Sequence, residues 1–241
     1  MLKDKYDILL EKAFKSDPTF LRAQNSAFEE VVNFTQQSPE ALSLFIDKQL
    51  KNGLKGANEE EIEGSLNKVK FHTSTFFFYI RKQYNFSFWK AITLFRFIKD
   101  TDVFENYYKQ HLAKRLLLNQ GVSDFAERNM ISKLKEECGY QFTSKLEGMF
   151  QDMKTSVETM EEFKKYLKEH PTVVLADIKF SVKVLTTGFW PVDQSSFLCI
   201  LPEKAQKCAN VFKDFYLGTH GGRRITWQYN MGFYLLQYFI L

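Results

Sequence analysis

The hydrophobic period of this chain changes once, near Pro171, from the three-and-four spacing of helices to strict alternation. That change limits the fold more than any other feature. From Asp177 to Leu185, Ile178, Phe180, Val182 and Val184 alternate with Lys179, Ser181 and Lys183, the pattern of a strand with one buried and one wet face. A helix from Glu203 with Cys208, Val211, Phe212 and Phe215 inward follows it. Beyond Gly221-Gly222, a last strand is expected to put Ile225, Trp227 and Tyr229 on one face. The expected fold class is mainly α, closing in a partial α/β (α+β) domain.

The helices before Pro171 announce their own boundaries. Asp17-Pro18 reads as an N-cap with proline at the first helical position, and Ser38-Pro39 repeats the device before Leu42, Phe45, Ile46 and Leu50. Gly53 is the expected left-handed cap of that helix. A further helix is expected from near Asn58. After Asp100, Val103, Phe104, Tyr107, Tyr108 and Leu112 define a helix that stops around Asn119 to Gly121. Asp124 and Glu127 have capping-box spacing ahead of Met130, Ile131, Leu134 and Cys138. Thr143 is expected to cap one helix through Met153, and Phe163, Tyr166 and Leu167 to belong to another.

Between Lys70 and Ala91 the order breaks down into KFHTSTFFFYIRKQYNFSFWKA, crowded with aromatics and lacking an amphipathic helical pattern. Its removal joins Ile62, Leu66 and Val69 to Phe95 and Ile98 at spacings of four and three, one continuous helical face. Phase alone does not mark the stretch as foreign, because 22 helical residues turn the register by only about 40°. Composition does. This stretch and the tail FYLLQYFIL, Phe233 to Leu241, both begin where codons can supply a GT dinucleotide, and both are rich in residues with AT-rich codons. They read as translated introns.

With 33 basic and 29 acidic residues and a net charge of +4, the chain shows no basic stripe of the kind nucleic-acid modules carry. The Lys114-Arg115 pair, with Lys109, reads as the solvated rim of an amphipathic helix. Three cysteines, Cys138, Cys199 and Cys208, lack paired short spacing, which argues against a disulfide framework or a zinc knuckle and for a reducing compartment. Charges among the first residues break any signal-peptide core, so a cytoplasmic and nuclear location is expected. The aromatic run Phe76 to Tyr79 meets Arg81 and Lys82 long before about 20 apolar residues have accumulated, so no membrane span is expected.

Catalytic signals are weak. His72, His111, His170 and His220 are scattered, with no acidic or cysteine partner at ligand spacing on the same helix. The GTHGG run at Gly218 to Gly222 lies between a helix and a strand, the reverse of a phosphate loop, and lacks a following Lys-Ser/Thr. It reads as a turn. No catalytic residue, cofactor or metal site is expected.

Read in order, SPEALSLFIDKQLKNGLKG, FIKDTDVFENYYKQHLAKRLL, ERNMISKLKEECGYQFTSKLEGMFQDM, VLTTGFWP and FYLGTHGGRRITWQYNMG resemble the middle of a cullin. YYKQHLAKRLL and CGYQFTSKLEGMF are most similar to the third cullin class, which recruits substrates through BTB-domain adaptors. The resemblance implies three parts: residues 1–37 as the last helices of a helical-repeat stalk, 38–172 as a four-helix bundle interrupted at 70–91, and 173–232 as the start of the α/β cullin-homology domain. Residues 233–241 would be a non-family tail.

It further implies a non-catalytic scaffold of a ubiquitin ligase, joining a substrate-adaptor arm to a RING-box protein. That protein would add a β-strand to the α/β domain. Ile178, Phe180, Val182, Val184, Trp190 and Trp227 are the apolar residues expected to support that strand. BTB-type adaptors would bind a region preceding this one, and a cullin-exchange factor is a further partner the resemblance admits. The lysine that accepts a ubiquitin-like modifier would lie in a module this chain lacks. Phe125 stands where the family usually shows an acidic residue. The competing reading is a helical interaction protein or a nucleic-acid-binding protein without a ligase role.

Overall fold

A computed structural model describes residues 2–52, 86–119, 124–170, 178–191 and 200–229. Within them run eight helices: α1 (Leu2–Phe14), α2 (Pro18–Val32), α3 (Ser38–Asn52), α4 (Phe86–Phe95), α5 (Thr101–Leu118), α6 (Asp124–Cys138), α7 (Tyr140–Glu169) and α8 (Glu203–Thr219). Two compact units emerge, one within Met1–Met149 plus Thr187–Pro191, the other within Phe150–Thr186 plus Val192–Leu241. The expected Gly53 cap, the helix from Asn58, residues 70–85 and the tail 233–241 lie outside the described residues.

In the first unit α1 and α2 form a hairpin. Phe14 and Phe20 meet at 4.2 Å across its turn, and the Asp17 carboxylate accepts the Thr19 N–H at 2.8 Å, with Pro18 opening α2 as the sequence predicts. The α2 C-terminus is fastened by Asn33, whose side-chain amide donates to the Phe97 carbonyl at 2.6 Å while its Oδ1 accepts the Lys99 N–H at 3.0 Å. Helix α3 packs on α4 and α5. Ile46, Leu50, Ala91, Ile92, Phe95, Phe104, Tyr108 and Leu112 are buried, with Phe95 against Phe104 at 4.8 Å.

Several expectations give way here. Phe86 to Ala91, read as lacking helical order, belongs to α4, and buried Ala91 continues the face of Ile92 and Phe95. Val103, expected inside, is 40% exposed; Phe104 and Tyr108 take the inward stripe. Thr143 does not cap a helix: it lies one turn inside α7, fully buried, and α7 runs 30 residues without the expected interruption. Its start is set by Gly139, at φ +82°, and nothing between Lys154 and Glu162 is a helix breaker. Within α7, Gly148 is needed: a Cβ there would stand 2.6 Å from the Phe189 ring, which lies directly on the helix backbone.

In the second unit, Met160, Phe163, Phe212, Phe215 and Tyr216 form a buried cluster between α7 and α8. Phe163 meets Phe212 edge-on at 5.1 Å and Phe215 at 5.2 Å. Residues 178–186 and 223–228 pack against these helices instead of pairing in a ladder, so among the described residues the two expected strands are absent. Their hydrophobic alternation was read correctly as an inward face, but that face is covered by helices.

Candidate functional site

The segment 178–186 is held to α7 through its main chain. The Val182 N–H points at Met160 Sδ (3.4 Å), the Val184 N–H donates to Ser156 Oγ (2.8 Å), and the Thr186 N–H donates to Asp152 Oδ2 (2.7 Å). Ser156 also donates to the Val184 carbonyl at 3.0 Å, and the Thr186 hydroxyl donates to Asp152 Oδ1 at 2.7 Å. Each step of two residues along the segment thus matches a step of four back along the helix. Four helical residues advance about 6 Å and two extended residues about 6.7 Å, so the segment must be extended and antiparallel to α7. It is a strand in conformation, with helix side chains on one edge in place of a neighbouring strand.

Lys179 and Ser181 are exposed, but Lys183 and Leu185 are half-buried, so the expected wet face is only partial. Phe180, Val182 and Val184 pack on the cluster around Phe163, and Trp227 joins them from the last described segment, 6.2 Å from Phe212. Four of the six residues predicted to support a partner strand are therefore brought together. Ile178 is half-buried and outside this cluster. Trp190 is 6% exposed and belongs to the first unit, beside the Phe189–Gly148 contact in sequence. Phe180, Val182, Val184 and Trp227 thus form the floor under the segment.

Asp152 and Ser156 went unnoticed in the sequence. The available signal was two polar residues on an otherwise apolar stripe, Met149, Asp152, Ser156, Met160 and Phe163, at helical spacing. Both are buried, and a buried polar side chain implies a partner.

A second concentration of chemistry-bearing groups lies in the first unit. Arg115, expected at the solvated rim, is 1% exposed. Its Nη1 donates to Asp47 on α3, while Nε and Nη2 donate to the two oxygens of Glu127 on α6. Both Glu127 oxygens thus accept from Arg115, a partner that its capping-box spacing does not predict. Burial pulls the guanidinium pKa down, but the Glu127 and Asp47 bonds outweigh it and the net shift is upward. Burial pushes the Asp47 carboxyl up, and Lys51 and Arg115 more than reverse it. His111 Nδ1 stands 3.9 Å from Asp47, and burial holds the imidazole pKa below its ordinary value. With guanidinium and carboxylates spent on one another, this is a lock between helices, not a reaction centre.

The other histidines are packing groups. His170 and His220 lie at the ends of α7 and α8, each stacked at 4.3 Å on the tyrosine four residues earlier, Tyr166 and Tyr216. His72 is outside the described residues. Gly222, at φ +80°, turns the chain after α8, which is the turn reading of GTHGG. Among the described residues no group of three potential metal ligands occurs, and no helix is long and apolar enough to cross a membrane.

A helical region followed by an extended segment on a helical floor is matched by known sequences. One family's sequence model, described as the cullin alpha solenoid domain, matches residues 1–160, and another, the cullin alpha+beta domain, matches residues 184–240. The chain belongs to the cullin family. Among curated relatives, Cullin-3 of Dictyostelium discoideum is 49% identical over 96% of this chain and 27% of its own length. Cullin-3B of Arabidopsis thaliana is 49% identical over 95% of this chain and 28% of its own. Human Cullin-4A is less similar, 38% over 98% of this chain and 28% of its own. The likeness to the third class drawn from YYKQHLAKRLL agrees with that order. The chain spans little more than a quarter of the length of these cullins.

Proposed function

We propose that this cullin chain works as part of the scaffold subunit of a cullin-RING E3 ubiquitin ligase, linking a substrate-adaptor arm to a RING-box protein for ubiquitin-dependent protein degradation. The observation that carries this reading is the extended segment at 178–186, seated on an apolar floor beside helices that belong to the cullin family. In this role the chain performs no chemistry of its own. Packed helices hold two partners at a set separation, and the acceleration comes from the proximity so enforced.

The RING-box protein pairs with main chain near Ile178 to Leu185, above Phe180, Val182, Val184 and Trp227, by strand addition. BTB-type adaptors are the expected substrate receptors of the whole assembly, in keeping with the Cullin-3 likeness. Cytoplasm and nucleus are the proposed location, and the free thiols Cys138 and Cys208 are compatible with it.

The test is capture of purified RING-box protein by the 241-residue chain. Retention that survives moderate salt supports the scaffold role. Failure to bind RING-box protein, with salt-sensitive retention on DNA instead, would establish the competing nucleic-acid reading.

A further inference from the structure

We propose that Asp152 and Ser156 are positioning residues for the RING-box partner: they clasp Val182 to Thr186 in the extended form that strand addition requires. The inference rests on the strand-addition reading above and assigns it residues on a helix the partner need not touch. Three facts carry it. Ser156 both donates to and accepts from Val184, which fixes the direction and register of the backbone at one residue. Asp152 holds Thr186 by its N–H and its hydroxyl at once. Both side chains are buried, 8% exposed for Asp152 and 3% for Ser156, so their bonds form where water competes little.

The N–H groups of Val182, Val184 and Thr186, every second one along the segment, are committed to α7, and that spacing holds the backbone between them extended. An unclasped segment would have to be ordered by the partner at the moment of binding, and affinity falls by the fraction of time the segment is not extended. The clasp removes that loss in advance.

The experiment measures RING-box affinity for the 241-residue chain by titration calorimetry, alongside hydrogen exchange of the Val182, Val184 and Thr186 amides. Ser156→Ala and Asp152→Ala each weaken binding by roughly tenfold, because a buried bond, charge-assisted for Asp152, is lost. Exchange at these three amides accelerates while α8 amides stay protected. Asp152→Asn, which keeps one acceptor for the Thr186 N–H, recovers most of the affinity.

Unchanged affinity in a variant whose three amides exchange freely overturns the proposal and leaves the scaffold reading intact. Absence of binding by the unsubstituted chain overturns the scaffold reading itself. Should the alanine variants unfold, Thr186→Val is the deciding variant, since it removes only the hydroxyl bond at an exposed residue. A loss of several-fold supports the clasp, and no loss in affinity or amide protection refutes it.

Discussion

The two units are held together by opposite means. In the first, a single guanidinium joins three helices: Arg115 on α5 binds Asp47 on α3 and Glu127 on α6, all buried. In the second, the core is a ring cluster in which Phe163, Phe212, Phe215 and Tyr216 share contacts, and the buried Asp152 and Ser156 bind the main chain of the extended segment. The contrast teaches where each part is brittle. An ionic joint is directional and depends on one residue, whereas aromatic packing spreads its contribution over many contacts. Helices satisfy their own backbones, so the first unit is self-contained. The extended segment of the second draws its main-chain bonds from helix side chains.

Breaking the ionic joint gives the largest effect. Arg115→Met strands the buried Glu127 carboxylate, leaves Asp47 with Lys51 alone, and costs about 3–5 kcal/mol of stability. Denaturant unfolding, read with hydrogen exchange of α5 amides, measures it. The triple change Arg115→Met, Asp47→Leu, Glu127→Leu recovers most of the loss, since no buried charge is then left unpaired. A triple variant as unstable as the single one would show that the joint works by something other than charge pairing.

The second unit responds less sharply. Phe163→Leu keeps much of the apolar volume but gives up ring contacts to Phe212 and Phe215, a loss of about 1–3 kcal/mol. Exchange should accelerate at α8 amides and leave α5 amides unaffected. If α5 loosens equally, stability is not partitioned between the units as their cores imply.

The close seat of Phe189 on α7 allows a finer test. Gly148→Ala improves helix propensity by up to about 1 kcal/mol but drives a methyl into the ring, which costs about 1–3 kcal/mol. A net loss near 1 kcal/mol is expected. In a Phe189→Ala background the same substitution becomes stabilising, and thermal melts of the four proteins in this cycle decide it.

Helix content and most of the inward stripes were legible because each helix satisfies its backbone locally and shows its buried face at fixed spacing. Phe104, Tyr108, Met130, Leu134 and Phe212 all lie where the periodicity puts them. The polar exceptions were not legible. Arg115 sits three residues past Leu112 on the inward stripe, yet its charge reads as solvent-facing. The acids that justify its burial are 68 and 12 residues away. Glu127 misled in the other direction: its spacing from Asp124 fits a cap, and only the fold shows that a distant guanidinium claims it. For the site, Phe180, Val182, Val184 and Trp227 followed from alternation. Asp152 and Ser156 did not, because a main-chain clasp depends on which segment returns to the helix. The expected strands fail for the same reason, since alternation reports an inward face and says nothing about what covers it.

The smallest effect concerns pH. Burial holds the His111 imidazole below its ordinary pKa, with Arg115, Lys114 and Lys51 pushing the same way and Asp47 opposing. The folded protein therefore binds this proton less readily than the unfolded chain. Below about pH 6.5 the unfolded state takes up the proton first, so stability falls as pH drops through that point and levels off once the folded state is protonated too. Asp47 adds to acid loss only lower down, below about pH 3.9, because its own pKa is depressed in the fold. Between about pH 7 and 5 the slope of stability in the first unit is thus assigned to His111, and His111→Gln flattens it. The second unit, whose His170 and His220 lie stacked on tyrosines, shows no change in slope on that substitution. An unaltered slope in the His111→Gln protein would move the proton uptake elsewhere and leave the ionic joint independent of pH in the neutral range.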